Sequence, residues 1–373
     1  MLESGLDNSS SLSHSSLPVD PVPSDLDLPI ALKKKIPKNV QKAFGDPRWK
    51  VAVVEEVKAL KKNRTWELVT LPKGKITVLI VYVDDMILTG NDHVEIEALR
   101  KILAKEFEVK DLGVLRYFLG MEIARNKNGI SISQRKYTLD LLKETWMLGC
   151  KLSDIPIGVR HKIDLAKKGD LVDKGRYQWL VGKLIYLSHT RPDIAFAVRT
   201  PRKGLHFGKH DQFKIEAFTD VNWVGSIEDR RSTSGYCTFV FGNLITWRSK
   251  NQNVVARSSA EAEFRSIAHG ICEVLWIKRV LEELKIRIHP LAMMYCDNKA
   301  TISISYNPVH HDRTKHVEVD CHFIKEKIEQ REICLTYVPS KSQIADVLTK
   351  GILRENFENN VDKLGMIDIY APT

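Results

Sequence analysis

The sequence predicts a mixed fold, partly α/β and partly α+β, in which two folded domains lie between terminal tails. With 373 residues the chain is long enough for about two domains. Runs of β-branched residues alternate with segments whose apolar residues recur at helical spacing. From Ile215 onward strands become more frequent and are separated by helices, which favours a mixed sheet in the second domain.

The composition excludes several classes of protein. Apolar residues make up 43% of the chain and aromatic residues 8%, which excludes a wholly disordered chain. The 20 glycines and 14 prolines are too few for a collagen-like or linker-dominated chain. The net charge is +10, and residues 1–32 contain acids but no Lys or Arg, so the positive charge is concentrated in the remainder. This distribution suits a polyanionic partner such as nucleic acid.

The six cysteines are widely spaced and include no C-x-x-C pair, so neither a zinc site nor a disulfide framework is indicated. No apolar run approaches the roughly 18 residues of a membrane span, and the N-terminus lacks the features of a signal peptide. We therefore expect a soluble intracellular protein with no membrane contact, in the cytoplasm or the nucleus. The oligomeric state is left open.

The first domain is expected over residues 41–200, after a disordered tail over 1–40 that is rich in Ser, Pro and Asp. Its β-branched run Ile76–Val83 is interrupted by Asp84-Asp85 and resumes at Met86–Leu88, which predicts two buried strands around a carboxylate-bearing turn. Further predicted elements are a helix from about Val94 to Phe107, strands within 114–134 joined by a turn at Asn126–Gly129, and helices near Lys136–Thr145 and Tyr177–His189.

The second domain is expected over residues 201–352 and a C-terminal tail over 353–373. A long helix begins at Ser258, whose hydroxyl can cap it while Glu261 reaches back in a capping box. The other predicted elements are strands at Ile215–Thr219, Tyr236–Phe241, Leu244–Trp247, Met293–Cys296 and Ile333–Val338, and helices near His316–Gln330 and Gln343–Thr349.

Asp84 and Asp85 are the first candidate catalytic residues. Adjacent carboxylates at the end of a dry strand are costly to bury unless they hold a cation, and polymerases use such a pair to bind Mg²⁺. For the dipeptide alone, an ordinary hairpin turn is the simpler explanation. The flanking residues favour the catalytic interpretation, because VLIVYVDDMILTGND closely resembles the active-site hairpin of reverse transcriptases of the Ty1/copia retrotransposon type.

The resemblance extends over about residues 41–373. It includes KAFGDPRWKVAVVEEVKALKKNRTWELVTLPKGK, then LGVLRYFLGMEI, ISISQRKYTLDLLKETWMLGCK and RYQWLVGKLIYLSHTRPDIAFAV, in the order that the family has them. The chain is identified on these motifs as a member of the Ty1/copia Pol family. The resemblance implies part of a reverse-transcriptase palm and thumb, followed by an RNase H-like domain with a mixed sheet.

The chain also departs from the family pattern. The family has a long stretch between the LPKGK element and YVDD, with the palm's first catalytic aspartate, whereas here Lys75 precedes Asp84 by only nine positions. A second seam lies at Val198–Lys203. A polymerase needs the third carboxylate for its two-metal site, so we expect that polymerase activity is lost and that the chain is an internally truncated, degenerate or mis-spliced copy.

Four further acids are the candidate ligands of a ribonuclease H site. TDVNWVGS, DRRSTSGYC, WRSKNQNVVARSSAEAEF, CDNKAT and ADVLTK resemble the copia-type RNase H domain. Such a site holds two Mg²⁺ ions with carboxylates from a central strand, an adjoining helix, a second strand end and a late helix. The resemblance implies that this metal-ligand and catalytic role falls on Asp220, Glu263, Asp297 and Asp346.

Each of these positions has a structural alternative. Asp220 can simply end a strand, and Asp297 can cap the helix that follows it. Glu261 competes with Glu263, although capping explains Glu261, and Glu263 lies on the same helix side as Ile267. The ordered set with its flanking motifs favours Asp220, Glu263, Asp297 and Asp346.

Other side chains are less specific signals. His316 and His322 can assist product release, or can be ordinary cap and surface groups. The basic clusters Arg230-Arg231 and Arg248–Lys250 can contact phosphates or form a solvated face. Two hypotheses therefore remain: a Mg²⁺-dependent ribonuclease that cleaves the RNA of an RNA–DNA hybrid, or a noncatalytic remnant that at most binds nucleic acid.

Overall fold

The structure is a computed structural model that describes residues 74–82, 85–107, 109–150, 173–194, 203–226, 228–307 and 318–368. The expected N-terminal tail, Asp84, His316 and most of the seam at 198–203 lie outside the described residues. The strands are β1 Thr77–Tyr82, β2 Asp85–Gly90, β3 Tyr117–Phe118, β4 Met121–Arg125, β5 Gly129–Ser133, β6 Lys203–Gly208, β7 Ile215–Asn222, β8 Thr233–Val240, β9 Asn243–Asn251, β10 Ala292–Cys296, β11 Ile333–Tyr337 and β12 Met366–Asp368.

The described α-helices are α1 His93–Glu106, α2 Arg135–Glu144, α3 Lys174–Leu187, α4 Ser259–Glu283, α5 Lys299–Tyr306, α6 Glu318–Glu329 and α7 Arg354–Lys363. Short 3₁₀ helices occur at Pro192–Ile194, Ser340–Ser342 and Ile344–Leu348. None of the helices in the described ranges is both long enough and apolar enough to cross a membrane.

Strands β1 and β2 form a two-stranded antiparallel hairpin, in which Tyr82 pairs with Asp85. The sequence predicts two buried strands here, and this expectation is wrong. Ile80, Val81 and Tyr82 are 46%, 59% and 54% exposed. No further strand of the described residues joins this sheet, so within those residues no neighbouring strand shields its apolar side chains as in a wider sheet.

A five-stranded sheet has the order β12-β6-β5-β4-β3 and is antiparallel throughout. The predicted turn between β4 and β5 is present, and the Asn126 side chain closes it by accepting hydrogen bonds from the backbone N–H groups of Asn128 and Gly129 at 2.9 and 2.8 Å. The segment expected as a C-terminal tail contributes helix α7 and strand β12, which pairs with β6. Its apolar residues Val361, Leu364 and Met366 are buried, and this burial stabilises the helix and the strand.

The second five-stranded sheet has the order β11-β10-β7-β8-β9. Strands β7, β8 and β9 form an antiparallel meander, whereas β10 and β11 run parallel to β7. This is the mixed sheet that the sequence predicts for an RNase H-like domain. Helices α4 and α6 contribute to a core on one face, and the 3₁₀ helix Ile344–Leu348 and α7 contribute to a core on the other.

The long helix α4 begins as predicted. Ser258 is its N-cap, and its hydroxyl accepts a hydrogen bond from the Glu261 N–H at 3.2 Å. The other half of the capping box differs, because the Glu261 carboxylate accepts from the Arg257 N–H at 2.7 Å. The predicted helix near Gln343–Thr349 is a 3₁₀ helix over Ile344–Leu348.

Met366 of β12 provides a test of this packing. It is 1% exposed and lies in the core that also contains residues of β6, of the 3₁₀ helix Ile344–Leu348 and of α7. We expect Met366→Ala to lower the free energy of unfolding by about 2–4 kcal/mol, because it leaves a cavity in a packed core. Ile367→Ala is the matched control, since Ile367 lies next to it on the other face of β12 and is 40% exposed. Chemical denaturation of both variants measures the difference, and equal, small losses would show that the C-terminal strand is not part of the core.

Candidate active site

Three carboxylates converge at one end of the second sheet. Asp220 lies near the end of β7, Glu263 lies in the second turn of α4, and Asp297 directly follows β10. Because β7 and β10 are parallel neighbours, their C-terminal ends meet at the same edge. One carboxylate oxygen from each of the three residues lies within 4.8 Å of the others. Among the described residues, this is the group whose geometry can hold a metal ion.

The surroundings fix each carboxylate. Asp220 is 1% exposed, and Thr349 Oγ1 donates a hydrogen bond to its Oδ2 atom. Ser340 Oγ donates to Asp297 Oδ2 at 2.7 Å, and Cys296 Sγ donates a weak hydrogen bond to Glu263 Oε2 at 3.9 Å. These hydrogen bonds hold the three side chains in position, as a binding site for a cation requires.

The like charges of the cluster act on Glu263. Burial raises the pKa of Glu263 well above its ordinary range, and the negative charges of Asp220 and Asp297 raise it further. A positive ion among these oxygens would favour the ionised form of all three residues. The arrangement therefore fits a divalent cation with oxygen ligands.

Asp346 lies beside this trio. It is 8% exposed within the 3₁₀ helix Ile344–Leu348, and burial followed by the charge of Asp220 raises its pKa to about 8. Its nearest charged partner is Lys350, whose Nζ lies 2.9 Å from Asp346 Oδ1 and 3.4 Å from Asp220 Oδ2. The structure thus brings three of the predicted residues into contact range of one ion and connects the fourth through a lysine.

Two further residues hold the Asp346 segment against the sheet. Gln343 is fully buried and donates from Nε2 to the Thr219 carbonyl of β7 at 2.9 Å. Gly235 of β8 pairs with Asp220, and a Cβ there would lie 2.6 Å from Thr349 Cγ2. The glycine therefore allows Thr349 to approach Asp220.

Sequence reasoning did not identify Lys350, Thr349, Ser340 or Gln343. The spacing of Asp346 and Lys350 was an available signal, because residues four apart on a helical segment are neighbours. The contact between Ser340 and Asp297 joins residues 43 positions apart, and no local pattern indicates it.

The structure also distinguishes between Glu261 and Glu263 as members of the cluster, and between two roles of Asp297, as a helix cap or as a member of the cluster. Glu261 forms an ion pair with Arg265 at 2.5 Å and does not join the cluster, whereas Glu263 does. Asn298, not Asp297, caps α5, because its side chain accepts from the Thr301 N–H at 3.1 Å. The Asp297 carboxylate is therefore directed to the cluster instead of to the helix.

The remaining candidates lie elsewhere. Asp85 is exposed at the start of β2, and its partner in the sequence motif, Asp84, is outside the described residues. Asp85 belongs to no group of three or more potential metal ligands within the described ranges. His322 is exposed on α6, and His316 is not described.

A basic cavity of about 290 Å³ lies beside α4 in the same domain. Its lining includes Arg248 and Lys250 of β9 and Arg265 and His269 of α4, with Asp320 as its acidic residue. Burial lowers the pKa of His269, and the positive charge of Arg248 lowers it further. Ser234 of the lining pairs with Val221, the residue after Asp220, so the cavity borders the strand that carries the cluster.

Comparisons with known proteins identify relatives of both parts of the chain. A family model described as reverse transcriptase (RNA-dependent DNA polymerase) matches residues 68–159. The retrovirus-related Pol polyprotein from transposon RE1 of Arabidopsis thaliana is 36% identical over 326 residues, which are 80% of this chain and 22% of that protein. The corresponding polyprotein from transposon TNT 1-94 of Nicotiana tabacum is 32% identical over 79% of this chain and 25% of its own length.

An uncharacterised mitochondrial protein of Arabidopsis thaliana is 35% identical over 226 residues, which cover 53% of this chain and 93% of that protein. The chain thus spans about a quarter or less of the transposon polyproteins it matches, but almost the whole of this shorter relative.

Solved RNase H structures are also similar to part of the chain. The N-terminal RNase H domain of rv2228c from Mycobacterium tuberculosis is 14% identical with a TM-score of 0.28, covering 40% of this chain and 98% of that one. LC11-RNase H1 in complex with an RNA/DNA hybrid is 14% identical with a TM-score of 0.29, covering 36% of this chain and 94% of that one. These scores add nothing to what the strand order already shows.

The polyprotein relatives match the chain from the reverse-transcriptase hairpin through the domain with the RNase H-like sheet. The match includes the region of the YVDD hairpin that the sequence resemblance singles out. The chain therefore belongs to the copia-type family of retrotransposon Pol polyproteins, of which it holds a reverse-transcriptase segment followed by an RNase H-like domain.

Proposed function

We propose that the chain is a Mg²⁺-dependent ribonuclease H that cleaves the RNA strand of an RNA–DNA hybrid. The observation that carries the proposal is the convergence of Asp220, Glu263 and Asp297 within 4.8 Å at the end of a mixed sheet. Asp346, which is buried beside them, is the fourth ligand in this proposal. Family membership supports it, because the copia-type motifs around these residues resemble those of an RNase H domain.

The residues present fit Mg²⁺. The cluster offers only hard oxygen ligands, and two of its members, Asp220 and Glu263, are buried. Burial and the negative charges of Asp220 and Asp297 raise the pKa of Glu263, and a bound cation would oppose that effect. When bound, Mg²⁺ would activate water and neutralise charge on the scissile phosphate, and two such ions are the usual number in enzymes of this chemistry. The protein's own contribution is to hold the oxygens in position, through Thr349 for Asp220 and Ser340 for Asp297.

A nucleic-acid partner is supported by charge. The chain carries a net charge of +10, and the basic cavity next to α4 places Arg248, Lys250 and Arg265 in one lining. Such groups contact phosphates without reading bases. We expect a hybrid to be recognised by its backbone shape and its 2′-hydroxyls, and therefore without sequence preference.

The first test is digestion of a labelled RNA–DNA hybrid by the full chain with Mg²⁺. We expect cleavage of the RNA strand only, and Asp220→Asn should reduce it by at least about a hundredfold, because even residues that only orient metal ligands are worth 10–100-fold. Asp229→Asn is the control, since Asp229 is an exposed carboxylate outside the cluster. Duplex RNA and duplex DNA should remain intact.

Equal cleavage by the wild type and by Asp220→Asn would show that the activity is a contaminant. Thermal unfolding of the variant confirms that it folds, and Asp297→Asn provides a second ligand variant. Salt-sensitive binding of the hybrid with no cleavage by a folded wild type would contradict the ribonuclease and favour a noncatalytic nucleic-acid-binding remnant.

The polymerase site is a separate matter. We propose that it is inactive, because Asp84 and Asp85 are only nine and ten positions from Lys75 and the family's first palm aspartate has no counterpart before them. We expect no primer extension on an RNA template with Mg²⁺ and nucleotides. The measurement compares the wild type with Asp84→Asn/Asp85→Asn, and extension above that variant would contradict the proposal.

A further inference from the structure

Lys350 lies where a divalent ion shared by Asp220 and Asp346 would be expected. Its Nζ is 2.9 Å from Asp346 Oδ1, 3.4 Å from Asp220 Oδ2 and 3.5 Å from Asp220 Oδ1. The oxygens of Glu263 and Asp297 converge with an oxygen of Asp220, and Asp346 is not a member of that trio. Among the described residues, Lys350 thus forms ion pairs with Asp220 and Asp346, and Asp220 is the carboxylate that the trio and the lysine share.

The backbone fixes Lys350 in this position. The N–H groups of Thr349 and Lys350 both donate to the Asp346 carbonyl at 3.2 Å, so the turn directly follows the 3₁₀ helix. Thr349 is fully buried and its hydroxyl donates to Asp220, which the absence of a side chain at Gly235 allows. The backbone of Lys350 therefore cannot move away without breaking this packing.

The side chain of Lys350 is less restricted than its backbone. It is 34% exposed, so its ammonium group has a path to solvent that the buried carboxylates do not have. Lysine is a cation at neutral pH, and the ammonium group of Lys350 pairs with both Asp220 and Asp346.

An ammonium group and a divalent ion compete for the same position between the carboxylates of Asp220 and Asp346. A magnesium ion lies about 2.0–2.1 Å from its oxygen ligands and carries two charges, so it would compete for the same lone pairs and repel the ammonium group. We propose that Lys350 is a tethered cation that holds Asp220 and Asp346 together in the metal-free protein, and that a second divalent ion binds there only by displacing it. This inference rests on the proposed metal site, and it adds that the two metal ions bind in a fixed order.

The consequence is an asymmetric pair of metal sites. The first ion enters the trio of Asp220, Glu263 and Asp297, in which Asp220 is the one described residue that forms an ion pair with Lys350. The second ion must displace the Lys350 side chain. The free energy of the lysine's ion pairs is lost on binding, so the protein binds the second ion more weakly than it would without Lys350. In this arrangement Lys350 is a positioning residue that sets the metal concentration at which the second ion binds.

The test counts metal ions on the full chain and does not depend on cleavage. Isothermal titration with Mg²⁺, and Mn²⁺ electron paramagnetic resonance, are measured for the wild type, Lys350→Gln, Lys350→Arg and the control Lys327→Gln. Lys327 is a suitable control because it is also a partly buried lysine paired with a carboxylate, at 3.0 Å from Glu326, but lies on α6.

We expect the second site of Lys350→Gln to bind at least about tenfold more tightly than that of the wild type, because the competing cation is gone. In EDTA this variant should melt at a lower temperature, since the carboxylates are then uncompensated, and Mg²⁺ should raise its melting temperature by more than that of the wild type. Lys350→Arg keeps the charge and should behave like the wild type, as should Lys327→Gln.

Two results would overturn the inference. One is a second-site affinity in folded Lys350→Gln within about twofold of the wild type, and the other is an equal increase in Lys350→Arg, which would exclude charge as the cause. The proposed ribonuclease fails by a different result, namely that the wild type binds metal but does not cleave a hybrid. The two failures are therefore distinguishable.

Discussion

Repulsion among closely spaced carboxylates is the constraint on which the rest of this structure depends. Oxygens of Asp220, Glu263 and Asp297 lie within 4.8 Å of one another. At that separation each ionised pair repels by about 3 kcal/mol at an effective dielectric constant of about 20. A fold would not assemble such a cluster for stability, so the elements that carry it have to be held together by packing elsewhere.

That packing comes from both faces of the mixed sheet. On one face, α4 places its apolar residues Phe264, Ile267 and Ile271 against β7 and β10, which brings Glu263 to the strand ends. On the other face, the 3₁₀ helix with Asp346 is covered by α7 and by the returning strand β12. The C-terminal segment thus stabilises the side of the site on which Lys350 lies. The charge of Lys350 offsets part of the repulsion between Asp220 and Asp346.

Much of the fold could be predicted from local patterns. The helix that begins at Ser258, the hairpin turn at Asn126 and the strands that flank Asp220 and Asp297 all lie where periodicity and turn residues indicate. The candidate ligands required the family resemblance as well, because an isolated Asp at the end of a strand is equally a turn or a cap. The choice of Asn298 as the cap of α5, which directs Asp297 to the cluster, depends on backbone geometry that spacing does not specify.

Where the structure differs from the expectations based on sequence, the difference has a physical reason. The apolar pattern of β1 and β2 indicates burial, but burial needs covering strands, and the described residues form only a two-stranded sheet there. The C-terminal residues look like a tail because α7 is largely polar, yet Val361 and Leu364 are fully buried against the second domain. Lys350 could not be assigned from the sequence, because its role depends on a contact with Asp220, 130 residues away.

The most direct measurement of the central claim is an anomalous difference map from crystals of the full chain grown with Mn²⁺, which takes the same oxygen ligands as Mg²⁺. Our account predicts a strong manganese peak coordinated by Asp220, Glu263 and Asp297, and, at higher Mn²⁺ concentration, a second peak between Asp220 and Asp346 with the Lys350 side chain moved toward solvent. A map with no manganese among these carboxylates, at concentrations that saturate binding in solution, would contradict it.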